Sequence, residues 1–325
     1  MVCIDPHDIP VVAIVDTELM EFTFGCLEGT KAGSKKITVT LVDDCDMTYT
    51  ATTTVTVKER TKTENTDTKL GDFDWDEAVI YFAVTDRFFD GNTTNNDGVN
   101  KNGTLSYHGG DFAGLTEKIN YLYDLGVNTI WLTPIVENSD TTYQDDNVGK
   151  IDSTGYHGYW TSDFTKLNPH LGTETEFKAL IEAAHAKGMK VMVDVVLNHA
   201  GYGTEDTFNS IIELQKVPGM DGTEITLYKD MVRDESNTVP GDMQLDGLSG
   251  LPDFVTEDPE VRAKLIEWQT TWMKEYAIDY YRVDTVKHVD NTTWSEFKNE
   301  LTKINQDFKL IGEYYDAGYL NDYDQ

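Results

Sequence analysis

The chain has 325 residues, 39% of them hydrophobic and 11% aromatic, enough for a large core and more than one domain. Its formal charge of −32 argues against nucleic-acid binding, because phosphate would be repelled, and leaves spare carboxylates for calcium or a neutral polyhydroxylated ligand. Cys3, Cys26 and Cys45 all lie in the first 45 residues and give the rest of the chain no disulfide framework. No apolar run approaches membrane-spanning length. MVCIDPHDIP lacks the basic start and apolar stretch of a signal peptide, so the sequence gives no direct support for a location.

Residues 1–58 are rich in Thr and Val. KKITVTLVDD and YTATTTVTV alternate as half-buried strands do, and predict a partial β-sandwich accessory domain. The region has no tryptophan, which favours a spacer over a sugar-binding module. Polar residues 59–74 read as a linker. From Trp75 onward strands and helices alternate. Apolar strand candidates cover 78–84, 128–133, 190–196, 278–284 and 308–314. Helices are predicted over Phe112–Leu125, closed by Gly126, and over Glu174–Lys187, opened by a Thr173/Glu176 capping box and closed by Gly188. A third starts at Asp258-Pro259 and carries Val261, Leu265, Trp268, Trp272 and Tyr276 on one stripe. Thr293 and Glu296 are read as opening a fourth.

Near-continuous apolar strands separated by helices imply an α/β fold with a parallel sheet. The third and fourth strands are too far apart for one helix, so 200–258 is expected to form an inserted subdomain. In such folds the long loops at the C-terminal ends of the strands carry the site.

Those ends are polar. IDYYRVDTVKH (278–288) puts Arg282 and Asp284 on one side of a strand, with Lys287 and His288 in the loop beyond. A carboxylate beside arginine stays ionised and is a nucleophile candidate. GEYYD ends the next strand with Glu313, and DVVLNH ends the third with Asp194, Asn198 and His199. Adjacent strands lie about 4.8 Å apart, so Asp284 and Glu313 can approach the roughly 5–5.5 Å separation of a retaining glycoside hydrolase. One such acid would read as a structural ion pair. Three strand ends with Arg, Lys and His beside them read as a site.

DVVLNH (194–199), LPDF (251–254), YRVDTVKH (281–288) and GEYYD (312–316), in this order, resemble the motifs of the α-amylase family of glycoside hydrolases, whose catalytic domain is a (β/α)8 TIM-type barrel. The resemblance implies Asp284 as nucleophile and Glu313 as acid/base, which must keep its proton where Asp284 has lost it. It implies that Arg282 and Asp194 support Asp284, and that His199 and Lys287 bind sugar hydroxyls. YHGYWTSDF (156–164) is similar to the family segment in which His157 would contact the sugar and Tyr159 stack beneath it. Read alone, Tyr159 and Trp160 suit ordinary loop-core packing better than sugar stacking.

TDRFFDGNTTNN (85–96) and HGGDF (108–112) resemble the calcium loop of cyclodextrin-forming and related amylases. Asp90, Asn92, Asn95, Asn96, Asp111 and the Gly109 carbonyl would be ligands; alone, the first stretch reads as a polar turn. The resemblance implies a second calcium at Asn198, Asp253 and the His288 carbonyl, pinning the insert to the barrel.

Two positions depart from the pattern. Tyr280 stands where the family has glycine. The chain also shows no Asn-His-Asp motif for the third family aspartate and is expected to hold about five β/α units, an incomplete barrel with an apolar edge that is inactive by itself. The leading expectation is a retaining hydrolase of internal α-1,4 bonds in starch-like α-glucans. An α-glucan transglycosylase of the cyclodextrin-forming type, an α-1,6-active pullulanase type and an inactive carbohydrate-binding protein stand as alternatives. The substrate class suggests an extracellular or cell-surface location.

Overall fold

The computed structural model describes residues 77–145, 151–220, 222–234, 236–305 and 308–314, together with five strands near the N-terminus. The chain divides into two compact units, Met1–Thr68 and Lys69–Gln325. In the first, Gly33–Val42 and Thr48–Val57 pair antiparallel, and Val2–Ile4 adds to the other edge of Gly33–Val42. Val11–Asp16 and Glu21–Cys26 form a separate antiparallel pair. The two Thr/Val-rich stretches are thus strands. The expected linker at 59–74 lies outside the described residues.

The second unit is built on a five-stranded parallel sheet. Its strands are β1 (Ile80–Ala83), β2 (Thr129–Leu132), β3 (Lys190–Val195), β4 (Tyr280–Val283) and β5 (Lys309–Gly312), in spatial order β5-β4-β3-β2-β1. Sequential neighbours pair in parallel with helices between them, as a barrel wall does. β3 is buried at all six positions, which is why its sequence runs apolar without alternation. Ile80 and Phe82 on β1 and Ile311 on β5 remain exposed at the two sheet edges.

The helices longer than four residues are α1 (Phe112–Glu117), α2 (Ile119–Leu125), α3 (Glu174–His185), α4 (Pro259–Glu275) and α5 (Asn291–Ile304) among the described residues. The single helix expected over Phe112–Leu125 is two, interrupted at Lys118, whose amide is shared between the Gly114 and Thr116 carbonyls. Gly126 closes α2 at φ 96°, where a side chain would be strained. The Thr173/Glu176 capping box forms in full, although α3 ends at His185, two residues early. The α5 expectation is corrected. Asp290 is its N-cap and accepts the Thr293 amide, while Glu296 leaves the helix end to pair with Arg262 at 2.7 Å. Asp290 wins because a carboxylate three residues before Thr293 fits the N-cap geometry directly.

The α4 stripe is buried as expected. Trp268 stacks on Phe164 at 5.3 Å, and the Trp272 indole donates to the Phe164 carbonyl at 2.8 Å. Burial of each such large side chain contributes about 1.5–3 kcal/mol. Two loops carry strands that periodicity does not show. Between β2 and α3, Val136–Asn138 pairs with Thr161–Leu167, and Tyr143–Asp145 pairs with Ile151–Ser153. Between β3 and α4, Ile212–Pro218 and Glu224–Lys229 form a hairpin within the expected insert.

Candidate active site

Alternation along β4 explains its mixed composition. Tyr281 turns toward the helices, fully buried, with its hydroxyl on the Gln269 carbonyl at 2.8 Å and its ring against Phe308. Arg282 and Asp284 take the opposite face. Tyr280, at the departing glycine position, is accommodated and only 7% exposed.

Register then gathers the acids. Asp194 on β3 sits opposite Arg282. Val283 sits opposite Gly312, and the Glu313 amide bonds the Val283 carbonyl at 2.8 Å, which sets Glu313 beside Asp284. One guanidinium bridges all three acids. Arg282 Nη1 lies 3.0 Å from both Asp194 oxygens and 2.7 Å from Asp284 Oδ1, and Nη2 lies 3.1 Å from Glu313 Oε2. Glu313 beside it adds like charge, which acts with burial to favour the protonated form of Asp284.

The surroundings decide the charge states. Burial pushes Asp284 up to about 6 and Asp194 up to about 7, with Arg282 opposing the rise in both. Asp194 further accepts from the Tyr159 hydroxyl at 2.8 Å and the Trp131 indole at 3.1 Å. Burial and the Asp194 anion raise the Tyr159 phenol, so it donates throughout the physiological range. His157 accepts the Tyr159 amide at Nδ1, and burial drops the imidazole to about 4. His199 is buried and likewise falls to about 4, so both imidazoles are neutral at pH 7. Lys287 lies in the loop after β4 with its ammonium 5.8 Å from the Tyr314 ring centre.

Thr285, next to Asp284, adopts φ 47° and ψ 45°, a left-handed conformation rare for a β-branched residue. There its amide donates to Glu313 Oε2 at 3.0 Å. Sequence reasoning missed Thr285 and Trp131. Trp131 was open to discovery, since it stands opposite Met192, two residues before Asp194, and so shares the Asp194 face. Nothing in the sequence marked the backbone of Thr285.

The candidate metal ligands fall into two groups. In the first loop Asp90 Oδ1, Asn95 Oδ1 and Asn96 Oδ1 are buried without a hydrogen-bond partner. Buried oxygens left unsatisfied are costly and fit a hard cation. Asn96 Oδ1 and Asp90 Oδ2 both crowd Gly109, where a Cβ would come within 2.5 Å and 3.2 Å of them. Asn92 and Asp111 are engaged elsewhere. Asp111 caps α1 through the Gly114 amide and also accepts the Gly91 and Asn92 amides, and Asn92 Oδ1 accepts from Thr94. The second group differs. Asp253 is paired with Arg233 at 2.8 Å, and the His288 ring bonds the Met243 carbonyl at 2.8 Å. Asn198 contacts His199 Nδ1 at 3.3 Å. Among the described residues, no cluster of three or more His, Cys, Asp or Glu suits a metal, so a cation here would need amide and carbonyl oxygens beside a carboxylate.

A parallel β/α sheet with bridged acids at its strand ends is the architecture of a barrel-type catalytic domain. The sequence model of the alpha-amylase catalytic domain matches residues 82–222 and 243–319. The periplasmic alpha-amylase of Escherichia coli is 30% identical over 311 residues, covering 75% of this chain and 46% of that protein. An Anoxybacillus alpha-amylase structure aligns at 35% identity and a TM-score of 0.62, over 75% of this chain and 48% of that one. A cyclomaltodextrin glucanotransferase with a three-domain arrangement aligns at 29% identity and a TM-score of 0.60, over 73% and 50%. The chain belongs to the α-amylase family. It spans about half the length of these relatives.

Proposed function

We propose that the protein is a retaining glycoside hydrolase acting on internal α-1,4 bonds of starch-like α-glucans. The observation that carries this is the Arg282 bridge, which presents Asp284 and Glu313 side by side from neighbouring strands. Asp284, buried and held by Arg282, attacks the anomeric carbon. Glu313, whose side chain is 39% exposed, donates its proton to the departing glycosidic oxygen. It then takes a proton from the water that releases the glycosyl-enzyme. Tyr159, His157, His199 and Lys287 line the same rim and contact the sugar.

Asp90, Asn95, Asn96 and the Gly109 carbonyl would hold a calcium ion in the first loop, which would supply charge and rigidity there. Residues 1–58 serve as an accessory β-domain joined by 59–74, and 200–258 as the insert. Among the described residues no helix is long and apolar enough to cross a membrane. A polymeric substrate and a periplasmic relative support work outside the cytoplasm.

A malto-oligosaccharide with an activated aryl leaving group tests the assignment, because its departure needs no acid. In the Glu313→Gln variant of the chain, or of a longer polypeptide containing it, release by water lacks its base and mass spectrometry should find a glycosyl group on Asp284. Label on another residue, or none in the variant of a polypeptide that is active as wild type, sinks the reading. Transglycosylation is the second reading, supported by the similarity to a cyclomaltodextrin glucanotransferase and by the calcium loop. Cyclic or elongated products from starch would favour it.

A further inference from the structure

We infer that the position where a second calcium would pin the insert is held instead by the guanidinium of Arg233. This rests on the arrangement around Asp253 and not on the roles of Asp284 and Glu313. The Arg233 side chain is 1% exposed. Its Nε donates to Asp253 Oδ2 at 2.8 Å, and Nη1 and Nη2 reach the two Glu257 oxygens at 2.7 and 2.8 Å. Nη1 also donates to the Asn237 carbonyl at 3.1 Å. The Arg233 amide bonds the Asp253 carbonyl at 2.7 Å, so backbone and side chain close on the same residue.

Asp253 is in turn tied to the end of β3. It bridges His199 through the backbone, and the amides of Ala200 and Phe254 bond the carbonyls of Pro252 and Asn198, each at 2.9 Å. A cation that pins the insert must bind Asp253, and a permanently charged one already does. Calcium beside it would meet like charge in a low-dielectric setting. The contrast with the first loop is direct. There three buried side-chain oxygens lack partners and the cation on Asp90, Lys101, is a surface lysine 60% exposed, whereas no side-chain atom of Asn198 or Asp253 is buried without a partner and the cation on Asp253 is a buried arginine.

Calcium bound by the demetallated 325-residue chain is counted by titration calorimetry, for the wild type and for Asp90→Ala and Asp253→Asn. One calcium per chain is expected, lost in Asp90→Ala and kept in Asp253→Asn. An equivalent that survives Asp90→Ala and vanishes in Asp253→Asn overturns the inference. No binding at all would leave Arg233 as the pin and sink the first-loop site instead. Should Asp253→Asn fail to fold, protease cleavage within 200–258 decides. In the Asp90→Ala chain, chelator should change the rate by less than about twofold, whereas Arg233→Met should raise it about tenfold or more. A tenfold rise on chelation of Asp90→Ala overturns the inference.

Discussion

Arg282 Nη1 stands 2.7 Å from Asp284 Oδ1, two residues along the same strand, and both side chains are buried. The contact sets the charge and aim of the proposed nucleophile together. Burial alone would neutralise Asp284, and the guanidinium keeps its pKa near 6, so the anion dominates at pH 7.

Replacing Asp284 with Asn keeps shape but removes the proposed nucleophile. Turnover on starch by active enzyme should fall about 10⁴-fold or more, with substrate affinity largely kept. Steady-state kinetics with direct oligosaccharide binding checks this, and near-normal turnover would remove Asp284 from the role.

Arg282→Met leaves Asp194 and Asp284 buried without their counter-ion. Unfolding free energy should drop by about 3–5 kcal/mol in urea at pH 7. The acid limb of the rate profile should move to higher pH, because Arg282 opposes the upward push of burial on Asp284. An unmoved limb in folded variant would show that Arg282 does not set this charge.

His157 is neutral in the folded state because its Nδ1 already accepts the Tyr159 amide and burial disfavours charge. Its folded pKa, about 4, lies below the unfolded value of 6.5. The stability it contributes is therefore present above pH 6.5 and lost as pH falls toward 4. Over that window the loss is up to about 3 kcal/mol, at 1.36 kcal/mol per pH unit. The His157→Gln variant should show a flatter stability curve between pH 6.5 and 4. An identical slope would mean that His157 takes up its proton without unfolding.

Calcium in the first loop should stabilise the fold by mass action. At a concentration a hundredfold above Kd the gain is about 2.7 kcal/mol. Thermal unfolding with calcium and with chelator measures it, and Asp90→Ala should erase the difference. A calcium effect of unchanged size in Asp90→Ala would place the ion elsewhere.

Much of this was legible in the order of residues. Runs such as KVMVDVV can only be strands buried on both faces, and the Thr173/Glu176 capping box fixes where α3 begins through bonds local to four residues. Spacing by two put Arg282 and Asp284 on one face because strand geometry allows nothing else. The acids at three strand ends followed from the same local rules.

What tertiary structure decided is everything that depends on which strands become neighbours. Parallel register brings Asp194 opposite Arg282 and Glu313 beside Asp284 across 88 and 29 residues of chain, letting one guanidinium serve three carboxylates. The left-handed turn at Thr285, the Trp131 bond to Asp194 and the Arg233 clasp on Asp253 arise the same way. Side-chain pairing across distant segments is set by packing and by the need to neutralise buried charge, and neither leaves a periodic trace in sequence.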